Sequence, residues 1–480
     1  MEQPFVGGGG ELNRSSVGRQ AAILLILVAC LILPRLAVGW LNLEMAQQAL
    51  REEDYIVASW ALARAAARLP GQQALWGQAG QAALKAGEFS LAQRWFEQGA
   101  RLDGLTVEDW LGYGDCLFAL GQTEAAAQIW QQGVRQAGPS PHLLYRLAME
   151  DRRNGNYTAA IEKLRSALRL APEDARLHYE LGLLLTLQSP TDALSELMTA
   201  LSLDPSLEVQ IRPLRADLNR LSLSQDNAYR LTLIGRGLLA VGQTDLALVA
   251  LERAVQTNRQ YAEAWAWLAE ARQQAGWEGR LQLDLALTYG STIPSIQALD
   301  GLYWLRLGDY PKAVQAYERA VSLEPENPAW WIGLGQATEA AGLYLQARDA
   351  YQRAALLDAQ SLEAWRGLAR LSIVTASPED EIGLYAVQRL IDLAPEDWRT
   401  WDLAGQLAAL RWIPAEAETH FLKAIELAPE QPEPHFHLAL LYLDQGSTFQ
   451  AYERLKLVQE LDPQGPYGWQ AWRILERYFP

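Results

Sequence analysis

The sequence predicts an all-α fold: an α-solenoid, a superhelix of stacked antiparallel helix pairs, behind an N-terminal apolar helix. Three observations point there. Marker residues recur every 34 positions in several registers, the length of one helix–turn–helix unit. Apolar residues fall at three- and four-residue spacing, giving one stripe per helix. A thirteen-residue apolar run, 21–33 (AAILLILVACLIL), follows the basic Arg14 and Arg19.

The periodicity is the strongest of these. Gly80, Gly114, Ala148 and Gly182 are 34 residues apart, as are Trp76 and Trp110, Trp331 and Trp365, and Pro395, Pro429 and Pro463. Gly301, Gly335 and Ala369 keep the same step. Within a unit such as 328–361 the markers are Trp331, Leu334-Gly335, Gly342, Tyr344, Ala347, Tyr351 and Ala354. Large residues make the apolar stripe of each helix, and small ones let helices approach closely. Gly342 suits the left-handed end of a first helix, and a proline such as Pro325 stops the second. No pair can bury its faces alone, so neighbours must stack.

This template resembles the tetratricopeptide repeat family. The unit 294–327 matches it with Gly301, Gly308, Tyr310, Ala313, Tyr317, Ala320 and Pro325. The unit 398–431 matches with Trp401, Gly405, Ala417, Phe421, Ala424 and Pro429, while Trp412 and Pro414 replace the usual turn. About twelve units are expected over residues 39–465. A first sub-array of about five covers 39–207, and an out-of-phase linker or hinge follows at 208–227. A second sub-array of about seven covers 228–465, with one degenerate unit near 262–293. Residues 466–480 read as a C-terminal capping helix that shields the last apolar face.

Before the array, residues 1–20 with Gly7 to Gly10 and Ser15-Ser16 read as a flexible leader. Residues 21–41 read as a transmembrane anchor or a signal peptide. Thirteen helical residues cover about 20 Å, short of the roughly 30 Å hydrocarbon core. In one reading Pro34 breaks the helix and Ala37-Val38-Gly39 forms a cleavage site, so the protein is secreted after cleavage near Gly39. In the other the helix continues through Leu36, Ala37, Val38 and Trp40 as a single-pass anchor, with Arg35 snorkelling. Leu27-Val28-Ala29-Cys30 also resembles a lipoprotein box. In every case the N-terminal positive flank puts the repeats outside the cytoplasm, with the retained anchor favoured. Membrane contact is expected through this segment only.

Composition narrows the function classes. With 57 acids against 41 bases and a net charge of −16, phosphate backbones are repelled, so no nucleic acid partner is expected. The two cysteines, Cys30 and Cys116, give no disulfide framework. No phosphate loop, HExxH, GxSxG or CxxC motif occurs. The histidines at 142, 178, 420, 435 and 437 are scattered, which disfavours a metal site, and Cys116 reads as a small buried hydrophobe. No cofactor, metal or catalytic residue is therefore expected, and the chain is read as a non-enzyme.

What remains is binding. Trp76, Trp110, Trp265, Trp331, Trp365 and Trp401 occupy equivalent repeat positions and read as packing residues, whereas Trp267, Trp330 and Trp398 lie off the template. The resemblance implies a concave wall lined by first helices, whose non-template residues choose the ligand. Carried over, these give a candidate groove of Phe118, His142, Tyr145, Met149, Arg152, Arg176 and Tyr179, with Tyr229 and Arg236 past the phase break. Tyrosine and arginine are enriched at binding hot spots. The lysine–asparagine pair that clamps a C-terminal carboxylate in some relatives is missing. The expected function is a protein–protein interaction scaffold at the cell envelope, the alternative a non-catalytic accessory subunit of an envelope or glycan assembly complex.

Overall fold

The computed structural model describes residues 14–479, with side chains at residue 30 and from 32 onward. The expected leader falls largely outside them. Twenty-six α-helices and two short 3-10 turns make up the described chain, with no strand among the described residues. The chain divides into two compact units, one ending at Leu218 and one beginning at Asn219.

Five antiparallel hairpins build the first unit, from Arg14–Arg51 with Tyr55–Ala66 to Ala175–Leu185 with Pro190–Leu203. Seven build the second, from Asn227–Ala240 with Thr244–Thr257 to Pro432–Asp444 with Thr448–Leu461, and the helix Pro466–Tyr478 follows. The degenerate unit still forms a hairpin, but its second helix, Arg280–Gly290, is 11 residues long where Thr244–Thr257 has 14.

The marker residues explain the hairpin. Gly342 takes φ +75° after the helix Pro328–Ala340, and its N–H and that of Leu343 return to the carbonyls of Glu339 and Thr338 at 2.9 and 2.8 Å. This Schellman turn satisfies the last carbonyls of the helix and reverses the chain. On the second helix, Tyr351 is 1% exposed. A Cβ on Gly335 of its own hairpin or on Gly367 of the next would lie 2.6 Å from its ring. The ring is a wedge between two first helices, and only glycine leaves room on both sides. Burying such a side chain contributes roughly 1.5–3 kcal/mol, once per hairpin.

Residues 208–227, expected as a linker, are mostly helical. A lone helix, Glu208–Arg220, is followed by the 3-10 turn Leu221–Leu223. Ile211, Leu214 and Leu218 make a buried stripe at helical spacing, and Arg215 grips Glu208 with two hydrogen bonds of 2.9 and 3.1 Å. Pro213 lies inside this helix, where it forgoes one backbone hydrogen bond, and the buried stripe offsets that loss.

At the other end, Arg14–Arg51 is one helix with Pro34 inside it. Of the two readings of this segment, the one in which Pro34 breaks the helix is therefore corrected. Packing holds the chain past the proline: Arg35 donates to the Ala67 carbonyl at 3.0 Å, a Cβ on Gly39 would meet Leu69 at 2.7 Å, and Ala46 and Ala49 are buried. Arg35 thus contacts the second helix of the first hairpin. No helix of the described residues is long and apolar enough to cross a membrane; residues 21–29 lie outside the described side chains.

Candidate partner-binding surface

The first unit carries seven of the nine candidate residues on three successive first helices, Val107–Ala119, Pro141–Arg153 and Ala175–Leu185. Ser140 starts the middle one: its hydroxyl accepts from Leu143 N at 3.1 Å, and Pro141 occupies the first position. Tyr145, Met149 and Arg152 then share a face by their spacing of four and three.

Several of these residues are already engaged within the protein. The Arg176 guanidinium lies 4.4 Å over the Tyr145 ring and donates to its hydroxyl at 2.8 Å. Tyr145 is 9% exposed, and burial, reinforced by the negative charge of Glu180, raises its pKa. Arg152 donates to Glu180 at 3.1 Å. Arg153 stacks 4.6 Å over Phe118, which is 40% exposed. Of the rest, His142 is exposed and Met149 and Tyr179 are half-buried. Tyr145, Arg152 and Arg176 are thus seam residues joining successive hairpins.

The residues that sequence reasoning left out of this set are the matching partners. Arg146 closes on Asp115 with two bonds of 2.8 Å. Elsewhere, Arg370 closes on Glu339 at 2.6 and 2.7 Å and Arg306 on Glu270 at 2.7 Å. A step of 31, as in Asp115–Arg146, Tyr145–Arg176 and Glu339–Arg370, is one repeat less about one helical turn, so it sets complementary residues opposite each other on adjacent first helices. That spacing is readable in the sequence.

In the second unit Tyr229 and Arg236 share one face of the helix Asn227–Ala240 and line a cavity of about 260 Å³ with Tyr261, Glu263 and Trp267. The Arg236 guanidinium lies 6.0 Å over Trp267. Tyr261 donates to Glu263 at 2.9 Å, and burial pushes its hydroxyl far above its ordinary pKa.

Four of the template tryptophans share one role. The indole N–H of Trp265, Trp331, Trp365 and Trp401 each donates to a carbonyl six residues back, at 2.7–3.0 Å, tying the inter-repeat turn to the helix it precedes. His178 and His435 occupy the same place: their Nε2 atoms meet Pro172 and Pro429 carbonyls at 2.9 and 3.0 Å. His435 is 2% exposed, and burial lowers its pKa. Its other nitrogen faces Arg454 at 3.2 Å. Cys116 is fully buried, and burial pushes its thiol up to about 12. Among the described residues no three His, Cys, Asp or Glu side chains group as metal ligands would.

The off-template tryptophans are not the exposed ones. Trp267, Trp330 and Trp398 are half-buried, and Trp330 donates to Glu324 at 2.7 Å. Trp412 is 87% exposed, and Trp469 and Trp472 on the last helix are 56% and 45% exposed. Trp412 stands at a turn where the template has glycine, and the sequence marks it as an irregular turn without showing its exposure.

Hairpins packed only on their neighbours, joined by a ladder of paired side chains, define an α-solenoid repeat protein. The tetratricopeptide repeat model matches residues 78–141, 145–208 and 301–361, so these stretches are similar to tetratricopeptide repeats. No curated protein matches the sequence. Among solved structures the chain is similar to the Cut9-Hcn1 APC/C hetero-tetramer, at 14% identity over 91% of this chain and 95% of that one, with a TM-score of 0.40. It is also similar to yeast Tom70, at 15% identity over 92% and 95%, TM-score 0.39, and to pilF of Pseudomonas aeruginosa, at 20% over 43% and 95%, TM-score 0.39. At such identities and scores these similarities say nothing of partners or activity.

Proposed function

We propose that this chain is a non-catalytic scaffold that binds other proteins at the cell envelope, held there by its N-terminal apolar segment. The observation that supports binding is exposed aromatic surface. Trp412, Phe449, Trp469, Trp472 and Tyr478, within the last 70 residues, are 45–87% exposed. Exposed aromatic residues mark interaction sites.

For the membrane, the supporting observation is helix continuity. The run 21–33 belongs to the helix Arg14–Arg51, so the apolar segment leads into the first hairpin without a loop. A cleavage site needs an accessible, extended chain, whereas Gly39 is helical and buried against Leu69. Retention of the segment as a single-pass anchor is the reading this favours, with the repeats on the extracytoplasmic side.

Two measurements test the proposal. Sequencing the mature N-terminus should find residues upstream of Pro34, and a start at Trp40 rules out the anchor. Crosslinking in the native membrane should join the repeats to defined proteins; a chain that crosslinks to none contradicts the scaffold.

A further inference from the structure

The turn at Trp412 has the geometry of the glycine turns and none of their ease. Trp412 N–H and Ile413 N–H return to Ala409 and Ala408 carbonyls, each at 3.0 Å, the same pattern that Gly342 and Leu343 make. Glycine holds the corresponding left-handed position at 276, 308, 342 and 446, with φ of 74–78°, the small Ala376 holds it at φ +48°, and the bulky Trp412 holds it at φ +59°. For a residue with a Cβ that conformation is strained. The side chain recovers little by packing, since it is 87% exposed. Fold stability thus gives no reason for tryptophan here, and strain held by a solvent-exposed aromatic points to function.

The indole stands at the rim of an apolar cavity of about 560 Å³, between the first helices Trp398–Leu410 and Pro432–Asp444, with Leu410, Leu440 and Leu441 in its wall. A second cavity of about 610 Å³ lies between Pro432–Asp444 and Pro466–Tyr478 and shares Leu440 and Asp444 with the first. Its far wall carries Arg473 and Arg477. Where Arg306 and Arg370 each close on a carboxylate, these two are exposed and have no carboxylate partner among the described residues. Each instead lies over an aromatic ring: Arg473 4.9 Å from Trp469 and Arg477 5.4 Å from Tyr478. Two unneutralised guanidiniums in a chain of net charge −16 are complementary to an incoming carboxylate.

We propose that this double groove binds an extended segment of a partner protein that carries an apolar side chain and, about three residues away, a carboxylate. The apolar side chain enters the first cavity under Trp412, and the carboxylate meets Arg473 and Arg477. Asp444, in the shared wall, accepts from the backbone N–H groups between them. The spacing follows from geometry. Neighbouring helices sit about 8–10 Å apart, and extended chain advances about 3.3 Å per residue. The inference rests on the protein-binding reading above and names the partner's chemistry.

The test uses the full chain and fluorescein-labelled, C-terminally amidated Gly/Ser peptides. Each holds one Leu and one Glu spaced two to five apart, in both orders, with Glu→Gln analogues. Anisotropy titrations should show the best affinity at a spacing of three or four, with at least a tenfold loss in the Gln analogue. The double variant R473Q/R477Q should bind Glu and Gln peptides alike. Trp412→Gly, which suits the turn and keeps the helical dichroism, should lose affinity at least tenfold for both. Equal binding by Trp412→Gly, or no peptide exceeding a Gly/Ser control, overturns the proposal. So does a surface that engages a second copy of the chain or phosphatidylglycerol vesicles in place of peptide. Crosslinked partners that persist in Trp412→Gly and R473Q/R477Q remove this groove and leave the scaffold standing, whereas the absence of any partner removes the scaffold itself.

Discussion

The surface around residues 142–180 and the one around residues 410–479 are both built from aromatic side chains and arginine. They spend them differently. In the first, Arg176 is bound to Tyr145, and Arg152 to Glu180, so the groups that look ready for a ligand already hold successive hairpins together. In the second, Arg473 and Arg477 have no carboxylate and Trp412 faces solvent at a strained turn. Composition alone does not identify a binding surface in a repeat array, because every seam needs such residues too. Partnering does.

The comparison is broken most sharply by removing a seam residue. Tyr145→Ala should cost about 3 kcal/mol of unfolding free energy, the usual loss for truncating a buried aromatic side chain. Denaturant unfolding of the full chain should show a destabilised first transition. An exposed ligand-binding tyrosine would leave it unmoved.

A smaller effect is expected from the ion pair. Arg152 and Glu180 side chains are 13% and 16% exposed, so Arg152→Gln should cost about 1–3 kcal/mol by leaving a half-buried carboxylate short of a partner. A double-mutant cycle with Glu180→Gln should return a coupling of about 1 kcal/mol. Additive effects would mean that the pair is incidental. At the other surface, Arg473→Gln should change stability by less than about 0.5 kcal/mol, and a loss comparable to that of Arg152→Gln would erase the distinction.

The gentlest test is by pH. His435 is buried and its folded pKa is lowered below the ordinary value near 6.5. Below that value the unfolded chain binds the proton more readily, so stability falls as pH drops through about 6.5 and continues to fall until the lowered folded pKa is reached. His435→Trp, which restores the template residue, should flatten this dependence in unfolding curves taken between pH 7.5 and 5; an unaltered slope would assign it to other groups.

The hairpins were legible because the same physical problem is solved once per unit. Tyr351 needs Gly335 on one side and Gly367 on the other, and residues under that constraint recur in phase. Binding residues have no such period. Tyr145 and Arg176 stand out in the sequence by residue type, whereas their mutual contact is encoded only in a 31-residue step. Trp412 was noticed only as an irregular turn, since nothing in a sequence distinguishes an exposed turn tryptophan from a packed one. The helix Glu208–Arg220 was masked by Pro213 and by the break in phase, although Ile211, Leu214 and Leu218 have helical spacing. Pro34 leaves two readings open in the sequence, because a helix breaker does not break a helix that packing holds on its far side.

The most direct test of the account is the unfolding free energy of Trp412→Gly. If the tryptophan is kept for a partner at the expense of the turn, glycine relieves the left-handed strain and the variant is more stable by about 1 kcal/mol. A variant that unfolds more easily than the natural chain would make Trp412 a packing residue and contradict the contrast between the two surfaces.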